Sequence, residues 1–467
     1  MIPLRLSEIA DVVGGHLDGD DALVTGPAFL DTRTPEPAGL FVAFVGERVD
    51  GHVHAEGAVE AGAAGVLGSR PTGVPTVVVD DVQQALQALA RVVLERRRGR
   101  AGPLSVLAIT GSQGKTSAKD MLAQVLADAD PTVATRGSFN NELGLPLTVL
   151  RVEESTRHLV LEMGARGVGH VAELCAIARP DVSLVLNVGR AHLGEFGSQE
   201  QIAVAKGELV EALTDDGVAV LNADDPLVLA MASRTRARVT TFGTGADADA
   251  RLGVVTLDEL GRPSFDLGYA GATEHLTLSL LGEHHAHNAA AVTAAALAAG
   301  VGFADVAASL RAITALSKWR MQLLERLDGL RVINDAYNAN PDSVRAALTT
   351  LAGIGRRTGS RTVAVLGEMR ELGDAASQEH HAVGRLVGEL GIDVLVVVGP
   401  EAAEIGEAAK AWVPPLQAGD VHEAVHLLRE TVRASDVVLV KASRGAALER
   451  VVEGLLASDD REEPPTA

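Results

Sequence analysis

Seven consecutive residues, Thr110-Gly111-Ser112-Gln113-Gly114-Lys115-Thr116, carry the strongest chemical signal in this sequence. They join an apolar run, SVLAIT (105–110), to a helical pattern that starts near Lys115 and continues through Ser117. Small residues let backbone N–H groups approach phosphate oxygens, and the start of a helix adds the positive end of its dipole. In such a loop the lysine reaches the β- and γ-phosphates and the Thr116 hydroxyl ligates Mg²⁺. The full pattern calls for Gly five residues before Gly114, where Ile109 stands, so this loop is a shortened variant. An ordinary Gly-rich turn is the simpler alternative. A strand, a Gly-Lys-Thr and a helix in that order favour nucleotide binding.

Other polar residues fall where strands end. Glu162 closes HLVLE (158–162), a position suited to a second Mg²⁺ contact beside a phosphate-loop strand. His192 follows VSLVLN (182–187), and Lys206 lies a few residues on, in Ala205-Lys206-Gly207-Glu208. His284, His285 and His287 stand close together before Asn288, but their spacing matches no zinc pattern and no cysteine accompanies them. An amide or imidazole contact to adenine, from Asn288 or His284, fits better. Asp335-Ala336-Tyr337-Asn338-Ala339-Asn340-Pro341-Asp342-Ser343 leads from a strand into a helix. A simple cap needs neither one of the chain's two tyrosines nor two asparagines, so this loop is expected to touch a ligand.

The elements that must position these groups alternate between apolar runs and helical patterns, the signature of βαβ units and mostly parallel sheets. In the first block, 40–46, 64–68 and 75–81 read as strands, followed by a helix with Val82, Leu86, Leu89 and Val93 on one face. The charged stretch 95–103 is expected to be a linker. The second block adds strands at 105–110, 158–162, 182–187 and 217–222 and a buried Ala-rich helix at 289–299. The third adds strands at 331–335, 362–367, 393–399 and 436–443. The expected division is 1–101, 102–316 and 317–457, with a disordered tail at 458–467.

Composition narrows the function. The 467 residues are 47% hydrophobic and 3% aromatic, enough for two to four domains with cores of their own. Lys plus Arg number 41 against 62 Asp plus Glu, a net charge of −21. That balance argues against nucleic acid as a partner. Cys175 is the only cysteine, so no internal disulfide can form. The start of the chain lacks the apolar core of a signal peptide, and the Ala-rich tract at 288–303 is shorter than the ~20 residues that span a bilayer. A cytoplasmic protein without membrane insertion is expected. Only six of the 41 basic residues are lysines, which makes Lys115, Lys206 and Lys441 conspicuous where they fall inside motifs.

Taken in order, these segments resemble the Mur ligase family of ATP-dependent amide-forming enzymes, over nearly the whole chain. The shortened loop 110–116, Asn140-Asn141 with Gly144 and Pro146, Glu162-Met163-Gly164, Ala191-His192 and Ala205–Glu208 resemble successive family motifs. Gly282, His284 and Asn288 are similar to its adenine-side motif. Asp335–Ser343 resembles the loop of the member that adds D-alanyl-D-alanine, and no D-N-P-R segment of the preceding step is present. Departures are His285 in place of Asn, His287 before Asn288, His170 where Glu is frequent, and Arg190 before Ala191.

The resemblance implies three α/β domains: a small N-terminal one, a central P-loop ATPase-like one with a mostly parallel sheet, and a Rossmann-like C-terminal one. It implies ligation of D-alanyl-D-alanine to UDP-N-acetylmuramoyl-tripeptide through an acyl phosphate, by a monomer whose domains close over the site. Lys115, Glu162, His192 and Lys206 are then catalytic. Two Mg²⁺ ions are implied, on Thr116, Glu162, His192 and a carbamate of Lys206. ATP takes the loop together with His284, Asn288, Arg320, Asp335, Tyr337 and Asn338. Asp31, Thr32, Arg33, Phe41, Asp50, Gly51 and His52 would meet the uridine nucleotide. Asn140, Asn141, Asn338, Asn340, Ser343, Lys441, Ser443 and Arg444 would meet the remaining substrate groups. The rivals are a sister ligase adding another residue and a P-loop switch acting through a protein partner.

Overall fold

The computed structural model describes residues 1–46, 49–100, 102–189 and 196–457. His192, Arg190 and the tail at 458–467 therefore lie outside the described residues. Three mixed or mostly parallel sheets follow one another along the chain, with a two-stranded ribbon beside the first.

The N-terminal sheet has five strands, and the three at Ala28–Phe29, Leu40–Val42 and Gly65–Gly68 run parallel as neighbours. The helix Val82–Arg98 starts at Asp81, whose carboxylate accepts the N–H of Gln84 at 2.9 Å. It buries Val82, Leu86, Leu89 and Val93, as their spacing predicts. The expected linker at 95–103 is corrected: helix continues to Arg98, and Arg97 is fully buried. Its guanidinium donates to the carbonyls of Gly102, Pro103 and Thr156. Arg91 and Arg98 reach carbonyls of Ala176 and Arg179. The charges that suggested a solvated linker bind this helix to the next block. One hydrophobic core runs through both, from Ile2 and Leu89 to Leu161 and Leu209.

The central sheet has ten strands. The loop strand Ser105–Thr110 lies between His158–Glu162 and Val182–Val185, all parallel, so their C-terminal ends open on one edge. The Ala-rich helix His284–Ala298 is buried beside the loop helix Lys115–Ala129 in a second core. Five further strands, from Arg238–Gly243 through Ala272–Thr277, extend this sheet, partly antiparallel. The C-terminal sheet has six strands in a parallel arrangement except at the edge strand Gln322–Glu325, which runs antiparallel to Arg331–Asp335. No described helix is long and apolar enough to cross a membrane.

Candidate active site

A cavity of about 860 Å³ opens where the central and C-terminal sheets face each other. From the central block it is lined by Ser112, Gln113, Gly114, Lys115, Thr116, Ser117, Asn140, Asn141, Glu162, Lys206, His284 and Asn288. The C-terminal block contributes Arg320, Asp335, Tyr337, Asn338, Asn340, Ser343 and Lys441. Residues up to 329 positions apart along the chain thus share one space (441 − 112 = 329). Thr110 and Gly111 form the floor behind the loop, where the Thr110 hydroxyl donates to the carbonyl of Met163 at 2.9 Å.

The phosphate loop is shaped by its own residues. Gly114 takes a left-handed φ of 80°, and a Cβ there would lie 3.1 Å from Oδ1 of Asn288. The first N–H groups of the helix at Lys115 have no partner within the helix, which leaves them available to an anion. Lys115 Nζ donates to the carbonyl of Gly111 at 2.7 Å, and burial holds its ammonium below the usual lysine range.

Glu162, 2% exposed, accepts from the Thr116 hydroxyl and from Asn140 Nδ2, both at 2.7 Å. A hydroxyl and a carboxylate at a strand end form an oxygen donor set that suits Mg²⁺. Lys206 is 4% exposed and has no hydrogen bond or ion pair among the described residues. Burial, reinforced by the nearby charge of Lys115, pushes its ammonium well below the usual range. Its helix, Gln199–Glu211, is anchored two residues later, where Glu208 accepts the N–H groups of Gly169 and Ala172 at 2.6 and 3.0 Å.

Asn288 has a buried Nδ2 with no partner, and His285 is buried against His284 with ring centroids 4.2 Å apart. Burial lowers His284 to about 4 and drives His285 well below its ordinary value. Both rings thus bind protons more readily in the unfolded chain, so their contribution to stability rises with pH between about 4 and 6.5. Replacing His284 by Asn should flatten the dependence of the urea midpoint on pH in that window. An unchanged slope would contradict the assignment.

On the C-terminal side, Lys441 Nζ donates to Asp335 Oδ2 at 2.6 Å and to the carbonyl of Asn338 at 2.8 Å. Its cation is thus committed to holding the Asp335–Ser343 loop. Asn340 caps the helix Pro341–Thr358 by accepting the N–H of Ser343 at 2.9 Å. The Arg320 guanidinium lies 4.2 Å from the Tyr337 ring centroid, and the Tyr337 hydroxyl is hydrogen-bonded to Ser138 of the central block. Ser443 and Arg444 do not line the cavity. Ser443 receives the N–H of Arg370, and Arg444 lies over Trp319 while pairing with Glu449.

The N-terminal candidates form a separate group. Asp31–Arg33, Asp50–His52 and Arg70 follow three adjacent parallel strands at their C-terminal ends, the edge where such sheets take ligands. Asp31 pairs with Arg33, while Asp50 pairs with Arg70 and the ring of His52. Phe41 is a correction: it is 1% exposed and packs on Phe29 in the core, offering no face to a ligand.

Sequence reasoning missed Ser138, Arg166, His170, Asn187 and Glu371, which also line the cavity. Asn187 was within reach, since VSLVLN (182–187) reads as a strand with Asn187 last, although the strand itself stops at Val185. Glu371 stands in a segment, Leu366–Gly373, that resembles the family's C-terminal domain, but its left-handed φ of 63° and its place in the cavity are not announced locally.

Comparison with known proteins agrees with this geometry. The family descriptions "Mur ligase middle domain" and "Mur ligase, glutamate ligase domain" match residues 109–296 and 319–444. A UDP-N-acetylmuramoyl-tripeptide–D-alanyl-D-alanine ligase of Mycobacterium tuberculosis is 45% identical, over 98% of this chain and 99% of that protein. The chain belongs to the Mur ligase family. As a Mur ligase it is an ATP-dependent enzyme that forms amide bonds. The crystal structure of MurF from Acinetobacter baumannii superimposes with a TM-score of 0.85 at 30% identity, covering 97% of this chain and 99% of that one. MurF from Thermotoga maritima in complex with ADP gives 0.77 at 30% identity, covering 92% and 97%. This Mur ligase thus has the expected three-part α/β fold.

Proposed function

We propose that this Mur ligase joins D-alanyl-D-alanine to the terminal carboxylate of UDP-N-acetylmuramoyl-tripeptide, a step in making the peptidoglycan precursor. The observation that carries the reading is the single cavity where the phosphate loop, Glu162 and Lys206 face the Asp335–Ser343 loop. Full-length similarity to proteins named for this reaction supports the choice of substrates. Residues 1–101 take the uridine nucleotide, 102–316 take ATP and 317–457 take the dipeptide. In this reading the enzyme works as a monomer in the cytoplasm.

ATP lies along Gly111–Thr116, with its adenine toward His284 and Asn288. The tripeptide carboxylate attacks the γ-phosphorus, ADP leaves, and an acyl phosphate forms. The dipeptide amine then attacks the acyl carbon, and collapse of the tetrahedral intermediate expels phosphate. Both steps gather anions, so the chain contributes positioning and charge neutralisation. Mg²⁺ would be held by Thr116 and Glu162, and a second ion by His192 and a carbamate of Lys206, offsetting phosphate charge when bound. A buried amine without a counter-ion among the described residues suits that modification. The neutral nitrogen bonds to the carbon of CO₂, one proton is released, and the buried amine becomes an anionic oxygen ligand. Lys115 stays a cation aimed at phosphate.

Phosphate release measured with each component omitted in turn tests the reading. Release is expected only when ATP, UDP-tripeptide and D-alanyl-D-alanine are all present. Release without the UDP-peptide, or with a single amino acid replacing the dipeptide, would reject it. Within the same assay, Asn288→Ala should raise KM for ATP about tenfold, the worth of a good buried hydrogen bond. KM for the dipeptide should stay nearly constant. The opposite pattern would remove Asn288 from the adenine site.

A further inference from the structure

Asn187 lies two residues past the strand Val182–Val185, beside the phosphate loop, and every polar atom of its side chain is engaged with that loop. Its Oδ1 accepts the N–H groups of Ser112 and Gln113, both at 3.0 Å, and its Nδ2 donates to the carbonyl of Gln113 at 3.1 Å. Its backbone carbonyl also accepts the Ser112 N–H at 3.1 Å. The segment presenting it is fixed on both sides. Asn222 Nδ2 donates to the carbonyl of Leu186 at 2.8 Å, and Asp225 accepts the N–H of Val188 at 2.8 Å. Gln199 donates to the Val188 carbonyl at 2.6 Å.

We infer that Asn187 is a positioning residue for ATP, a side-chain clamp that holds the shortened phosphate loop in its nucleotide-ready shape. The inference deepens the proposed function and rests on its placing ATP at this loop. Two loop N–H groups that a phosphate could otherwise recruit are taken up by Asn187. Phosphate recognition therefore falls to the N–H groups at the start of the helix and to Lys115. The side chain gives the Gln113 N–H a partner and reinforces the Ser112 N–H, which the Asn187 carbonyl also holds.

The test combines fluorescence titration of magnesium-ADP with steady-state kinetics, on the wild type and on Asn187→Ala and Asn187→Asp. Removing the clamp should raise the Kd for ADP and KM for ATP about tenfold, the cost of leaving the Gln113 amide unpartnered. KM for D-alanyl-D-alanine should move by less than about twofold. Asp keeps the acceptor but loses the donor and places an anion near phosphate, so its effect should be at least as large. A merely structural role would lower Tm and the active fraction and leave both nucleotide constants unchanged. That result would overturn the inference, as would failure of both variants to fold. If the wild type itself binds no ADP, the placement of ATP at the loop fails instead.

Discussion

Lys206→Ala is expected to lower turnover about a thousandfold, comparable to deleting one preorganised group that offsets charge in a transition state. The wild-type side chain is buried, carries no partner among the described residues, and sits within the electrostatic reach of Lys115. A lone ammonium in such a place is costly, and nothing in the fold rewards keeping it charged. Conversion to a carbamate would change its sign and make it useful to a metal ion. Formate or acetate added to the alanine variant should restore part of the rate by supplying the missing carboxylate oxygens. Lys206→Arg should be as inactive as the alanine form, since a guanidinium does not take up CO₂. In a chain with 35 arginines and six lysines, that is a physical reason for lysine at this position. Full activity of the alanine variant, or no response to small carboxylates, would exclude the carbamate.

Lys441→Met is expected to destabilise the C-terminal block by about 3–5 kcal/mol, the cost of stranding one partner of a buried ion pair. The side chains of Lys441 and Asp335 are 2% and 13% exposed, and their contact is 2.6 Å. Asp335 also accepts the N–H of Met321 at 3.1 Å, and Met321 has a left-handed φ of 48° in the connection between blocks. Losing the ammonium therefore loosens the Asn338 loop and the connection together. The double variant Lys441→Met, Asp335→Leu should recover much of the stability in a denaturant titration while remaining inactive, because the loop is still unanchored. Stability within about 1 kcal/mol of wild type for the single variant would show that the pair is dispensable.

Much of this site was legible in sequence because its residues end strands. Once strand, loop and helix alternate, side chains at C-terminal strand ends converge on one edge, as Glu162 and the loop 110–116 do. Helix burial was legible for the same reason of periodicity, from Val82 to Val93. What sequence concealed were partners chosen by tertiary contact. Lys441 stands in a motif, but its distance to Asp335 decides that its charge serves the loop. Phe41 stands beside uridine-side motifs, yet burial against Phe29 makes it core. The run of arginines at 96–98 looked solvated because charge usually is, whereas Arg97 finds three carbonyls from across a block boundary. Of the strands between Ala250 and Thr277, two have only three and two residues and Ala272–Thr277 is largely exposed, which leaves little apolar pattern to announce a sheet edge.

The central claim is that the tripeptide carboxylate is phosphorylated before the amide forms. It is tested most directly by labelling that carboxylate with heavy oxygen and measuring the mass of the released phosphate. Transfer of one labelled oxygen from substrate to phosphate, with the pentapeptide product retaining the other, is the predicted result. Unlabelled phosphate, with the displaced labelled oxygen appearing in water instead, would contradict the account.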